Sequence, residues 1–175
     1  MSAERIRATY LVETPLDPAD VAEVMAGEQS CGTFTRVEGE TDALRERARA
    51  VLESSQPLES VAEAALPNAW LQRKGRNGPY RRFKVRIAFP VDNVGTNLPT
   101  LAATLAGNLY DLGEVTGLRL EAIDMPAAYR ARFVLPVQGI GGTRRLTGGA
   151  QGAMVGTFLK PNVGMSAQDT AALVA

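Results

Sequence analysis

The chain has 175 residues with 45% apolar and 22% charged side chains, which bounds it to one medium domain, or a small domain plus part of another. Its 19 Lys+Arg cancel its 19 Asp+Glu, arguing against nucleic acid or an anionic membrane surface held by bulk electrostatics. The absence of histidine excludes His-based triads and His metal sites, and a single cysteine, Cys31, excludes an intramolecular disulfide and a Cys-based zinc site.

Residues 7–13 (RATYLVE) alternate around β-formers and predict a first strand. Asp17 is a good N-cap for the helix that follows Pro15, with Val21, Val24 and Met25 on its apolar face. Gly32 ends that element, and residues 33–37 (TFTRV) predict a second strand. Residues 45–54 fit either a short helix or a strand, while Pro57, Pro67 and the run RKGRNGP from Arg73 mark loops and a turn. Residues 80–89 (YRRFKVRIAF) alternate apolar with basic side chains, a half-exposed strand. Residues 97–105 predict a helix with Pro99 in its first turn, and residues 118–124 (LRLEAID) a further strand. This order resembles a ferredoxin-like α+β sandwich.

Glycines crowd residues 139–152, and a short apolar strand (MVGTFL, 154–159) then ends at Lys160-Pro161-Asn162. The pattern predicts a ferredoxin-like domain over 1–137, a Gly-rich connection over 138–152, and the incomplete start of an α/β barrel over 153–175. Of the 38 charged side chains, 26 lie in residues 1–86, and after Leu146 only Lys160 and Asp169 are charged. Such an apolar tail calls for covering partners, and the helix opening at residues 167–175 has no stop signal, as in a fragment.

Lys160 carries the most chemistry. It sits at the carboxyl end of an apolar strand, where catalytic groups of α/β barrels sit, and a desolvated lysine can serve as a general base. The same position also suits a lysine that merely reaches out to solvent.

The segment GTFLKPNVGMS (156–166) resembles the first barrel strand and loop of the RuBisCO large-subunit superfamily. Three further segments resemble it in order: GEQSCGTFTRV (27–37), RIAFPVDNVGTNLPTLAATLAGNLY (86–110) and GLRLEAIDMPAAY (117–129). The likeness is closer to the non-carboxylating type IV branch, the RuBisCO-like proteins, than to true carboxylases. Carboxylases read KPK where this chain reads Lys160-Pro161-Asn162, and they carry a substrate-contacting threonine where it has Phe158. The family tryptophan of the early strand is Phe34.

The resemblance implies that Lys160 is the catalytic, proton-transferring lysine and that Asn162 stands at a substrate position. It implies that Glu28, Thr33 and Asn108 reach the active site of an adjacent subunit. Magnesium is implied for the complete protein, held by a carbamylated lysine and two carboxylates on a second barrel strand beyond this sequence, so that this chain alone would be inactive. The implied chemistry is Mg-assisted enolisation of a phosphorylated ketose or keto acid by a cytoplasmic dimer or higher homo-oligomer, with no nucleic-acid or membrane partner. A true ribulose-bisphosphate carboxylase and a non-catalytic ferredoxin-like binding module are the alternatives.

Other signals carry less. Gly139, Gly141 and Gly142 do not make a dinucleotide fingerprint, because residue 144 is arginine and no strand leads directly into a helix. The basic cluster around Tyr80 and Phe83 lacks an RNA-recognition pattern and suits a solvated strand face. Cys31 suits a small buried side chain.

Overall fold

A computed structural model describes residues 4–31, 41–133, 138–148, 152 and 166–174. The chain divides into two compact units, Met1–Phe133 and Val134–Ala175.

Among the described residues, the first unit has four strands: β1 (Arg5–Thr14), β2 (Val51–Val61), β3 (Tyr80–Pro90) and β4 (Gly117–Asp124). They lie in the order β2-β3-β1-β4, with every neighbouring pair antiparallel. Helices α1 (Pro18–Glu28) and α5 (Leu98–Ala106) join the core, and shorter helices α2 (Asp42–Ala48), α3 (Ala69–Arg73), α4 (Val91–Val94) and α6 (Ala127–Arg130) fill the connections. This is the ferredoxin-like α+β arrangement that the element order predicts. Its β2, however, is residues 51–61, and the strand expected over 33–37 lies outside the described residues.

Alternation along the two central strands explains the layering. Ile6, Ala8, Tyr10 and Val12 of β1 and Phe83, Val85, Ile87 and Phe89 of β3 are buried. They meet Val21, Ala22 and Met25 of α1 and Leu101 and Leu105 of α5 in one core. Asp17 caps α1 as expected, its side chain accepting from the Ala19 N–H, and Asn97 caps α5 by accepting from the Thr100 N–H at 2.9 Å.

Three local readings change. The ambiguous stretch 45–54 is both elements in turn, the end of α2 and the start of β2. Pro57 is not in a loop but inside β2, beside an irregularity in the β2–β3 register. Among the described residues β2 lies at the edge of the sheet, where a proline without an N–H is tolerated. The Gly-rich stretch contains a helix in the second unit, α7 (Gly139–Leu146), and a last helix, α8 (Ala167–Val174), follows. The expected barrel strand at 154–159 lies outside the described residues.

Candidate functional site

Two of the five expected site residues are described. Glu28 is the last residue of α1, half-buried and without a hydrogen-bond or ion-pair partner among the described residues. Immediately after it, the Ser30 hydroxyl donates to the Ala26 carbonyl at 2.7 Å and accepts from the Ala50 N–H at 2.9 Å, tying the helix end to the start of β2. Asn108 opens a 3-10 turn (Asn108–Asp111) just past α5, and its side chain is exposed and likewise unpartnered. No hydrogen bond or ion pair joins Glu28 to Asn108. Thr33, Lys160 and Asn162 lie outside the described residues.

The backbone around Asn108 is held from several sides. The buried Tyr10 hydroxyl donates to the Leu105 carbonyl at 2.8 Å, one of the carbonyls that a helix end leaves unpaired. Gly107 comes so close to the Ala103 carbonyl that a Cβ there would collide with it. On the far side Leu109 is fully buried, and the Tyr110 hydroxyl accepts from the Leu120 N–H at 3.1 Å. Burial, and after it the neighbouring Tyr110 hydroxyl, pushes the Tyr10 phenol well above its ordinary pKa, so it stays a neutral donor.

The sheet face turned away from the core carries the basic residues of β3, and acids on neighbouring strands meet them. Lys84 Nζ lies 2.9 Å from Glu121, and Arg86 reaches Asp124 at 3.0 Å and Glu53 at 3.3 Å. Arg7 Nε completes the row by donating to both Glu53 oxygens, at 2.9 and 3.0 Å. Arg82 bridges Glu13 and Glu59 at 2.8 and 3.1 Å. The Glu59 carboxyl is held below its ordinary pKa chiefly by its own backbone N–H and then by Arg82, and the Glu121 carboxyl by Lys84 and then Arg119.

Glu13 is the exception on this face, because it is buried. One carboxylate oxygen accepts from the Ala65 N–H at 2.6 Å and the Thr116 hydroxyl at 2.9 Å, and the other from Arg82 Nε at 2.8 Å. Burial alone would raise its pKa, but the hydrogen bonds from Ala65, Arg82 and Thr116 outweigh it and hold the carboxyl below its ordinary value. Beside it Leu11, Leu66, Leu118 and Arg119 line a cleft of about 460 Å³. Cys31 is half-buried, its sulfur 4.0 and 3.9 Å from the Leu44 and Arg45 carbonyls.

Among the described residues no group of three or more His, Cys, Asp or Glu could hold a metal ion, so the donor set for magnesium is not found among them. No helix of the described residues is long and apolar enough to cross a membrane.

Residues 4–129 match the family described as ribulose bisphosphate carboxylase large chain, N-terminal domain. The chain belongs to that family. It is 42% identical, over 97% of its own length and 40% of the relative's, to the 3-oxo-isoapionate-4-phosphate transcarboxylase/hydrolase of Xanthobacter autotrophicus. It is 37% identical, over 97% of its length and 39% of the relative's, to the 3-oxo-isoapionate-4-phosphate decarboxylase of Rhizobium rhizogenes. Among solved structures it matches a rubisco-like protein from Burkholderia fungorum at 54% identity and a TM-score of 0.71, covering 98% of this chain and 39% of that one. The chain thus spans about 40% of the length of these relatives, which are RuBisCO-like proteins and belong with the type IV branch.

The residues that sequence reasoning passed over are Tyr10, Glu13 and Thr116. Glu13 gave a faint signal, an acid closing an alternating strand just before Thr14-Pro15. Its partners are 52, 69 and 103 residues away, beyond the reach of any local pattern.

Proposed function

We propose that this chain is the N-terminal part of a RuBisCO-like enzyme that forms and reprotonates an enolate of a phosphorylated 3-keto acid. The observation that carries the proposal is the 42% identity, over 97% of the chain, to a 3-oxo-isoapionate-4-phosphate transcarboxylase/hydrolase. In a 3-keto acid the bond between C2 and the carboxyl carbon breaks, the carboxyl group leaves as carbon dioxide, the electron pair enters the C2–C3 enolate, and a proton then adds to C2. Lys160 moves this proton, Asn162 contacts the substrate, and Glu28, Thr33 and Asn108 extend from this domain into the active site of an adjacent subunit. Magnesium, when bound, supplies charge stabilisation of the enolate. Following the family resemblance, its ligands are assigned to the part of the relatives' length that this chain does not span. The departures Asn162 and Phe158 favour this reaction over carboxylation of a ribulose bisphosphate.

The test uses the full-length protein with 3-oxo-isoapionate 4-phosphate, following loss of the carboxyl group and entry of solvent deuterium. Both should occur, and Lys160→Met should abolish both. Mixing Lys160→Met chains with Asn108→Ala chains should restore about a quarter of wild-type activity if sites are shared across a two-fold dimer. A full-length protein inert toward this substrate would overturn the assigned reaction.

A further inference from the structure

Asn108 has an unusual setting for an exposed, unpartnered side chain. The backbone on both sides of it is anchored, while its own carboxamide has no partner among the described residues. Upstream, the Leu105 carbonyl accepts the Tyr10 hydroxyl at 2.8 Å and the Leu105 side chain is buried. Gly107 admits no Cβ, because the Ala103 carbonyl fills the space and accepts its N–H at 2.8 Å. Downstream, Leu109 is plugged into the core, and the Tyr110 hydroxyl takes the Leu120 N–H. That bond sits where the β1–β4 register shifts, between Thr9 and Tyr10. A polar side chain on a backbone anchored from both sides, with no partner among the described residues, is presented to a group outside them.

We propose that Tyr10 and Tyr110 are positioning residues that lock the 107–109 backbone, so that the Asn108 carboxamide meets substrate in a fixed orientation. The proposal rests on the reading of Asn108 given above. It adds that the function of this turn depends on a hydroxyl buried in the middle of β1, which never touches substrate itself.

A purely structural hydroxyl would behave differently, and the protein contains one for comparison. The Tyr129 hydroxyl donates to the Gly95 carbonyl at 2.8 Å, just past α4, and Tyr129 is as fully buried as Tyr10. In the full-length protein, Tyr10→Phe should lower kcat on 3-oxo-isoapionate 4-phosphate about tenfold with little change in KM. It should also speed amide hydrogen exchange at residues 107–109. Tyr110→Phe should act in the same direction, and Tyr129→Phe should lower only the melting temperature. Tyr10→Phe should cost nothing further in an Asn108→Ala background, because the two changes act through one group.

Effects of Tyr10→Phe and Asn108→Ala that multiply would overturn the proposal, as would a Tyr10→Phe enzyme with unchanged kcat. If Asn108→Ala retains full kcat while Lys160→Met is dead, the role of Asn108 is wrong and the proposal falls with it, though the reaction stands. If the wild-type protein does not act on this substrate, the reaction is wrong. Exchange then decides: unchanged rates at 107–109 in Tyr10→Phe overturn the lock, and faster rates confined to that turn support it.

Discussion

The two faces of the four-stranded sheet are made by alternate residues of the same strands, yet they do different work. On β3, Phe83, Val85 and Ile87 face the core, and Arg82, Lys84 and Arg86 between them face out. The inner residues remove apolar surface from water and hold α1, which ends at Glu28, and α5, which ends just before Asn108. The outer residues cancel one another's charge across strands, where water screens each pair and most of the Coulomb gain is lost. Burial, not charge, separates the two kinds of contribution. Glu13 shows this, being an outer-face residue that the Ala65 loop covers and therefore resembling the core in what its loss would cost.

The contrast can be broken most sharply from the inside. Phe83→Ala should cost about 3–5 kcal/mol of unfolding free energy, read from the urea midpoint, because it empties a fully buried ring position. Glu13→Gln should cost about 1–3 kcal/mol, since it removes the charge that Arg82 faces and turns one acceptor into a donor among groups that need acceptors. Gly107→Ala should cost about 1–3 kcal/mol by forcing the Ala103 carbonyl aside, and should disturb Asn108 in the same step. On the open face, Glu53→Gln should cost less than about 1 kcal/mol, with the difference from wild type shrinking further in 0.5–1 M salt on the order of the shortest screening lengths.

Acid sharpens the comparison. The Glu13 carboxyl is held below its ordinary pKa in the folded state, so its contribution is fully present above the unfolded value of about 4.3. That contribution is lost as the pH falls through the lower, folded value. Wild type should therefore lose stability below about pH 4 more steeply than Glu13→Gln, and the gap between their urea midpoints should close with acidification. Glu121, whose partners Lys84 and Arg119 do not touch Glu13, titrates alike in both proteins and cancels from the difference.

Much of the fold was legible because its signals are local. Strands β1, β3 and β4 announce themselves by alternation, and Asp17 by standing just before a helical run. The reading of β2 was less successful. Its inner alternation is weak, nearly all of its residues are exposed, and Pro57 looked like a breaker when an edge position and an irregular register accommodate it. The helix α7 is hidden by its three glycines, Gly139, Gly141 and Gly142, which read as turn formers. For the candidate site, Glu28 and Asn108 were reached through family likeness alone, since a carboxylate at a helix end and an asparagine in a turn are ordinary. The anchors Tyr10 and Glu13 were not reached, because each binds a segment 95 or more than 50 residues away.

The placement of β1 has a consequence for how this protein comes to be folded. Of the four described strands, β1 is made first and is a central one, bonded to β3 on one edge and β4 on the other. Thr116, which closes the clamp on Glu13, follows it by 103 residues. Its ladders cannot form until those distant segments have been made, so the domain has high contact order and folds late and slowly for its size. Throughout that interval an apolar strand has both edges open, and this nascent chain is the species a chaperone would be expected to meet.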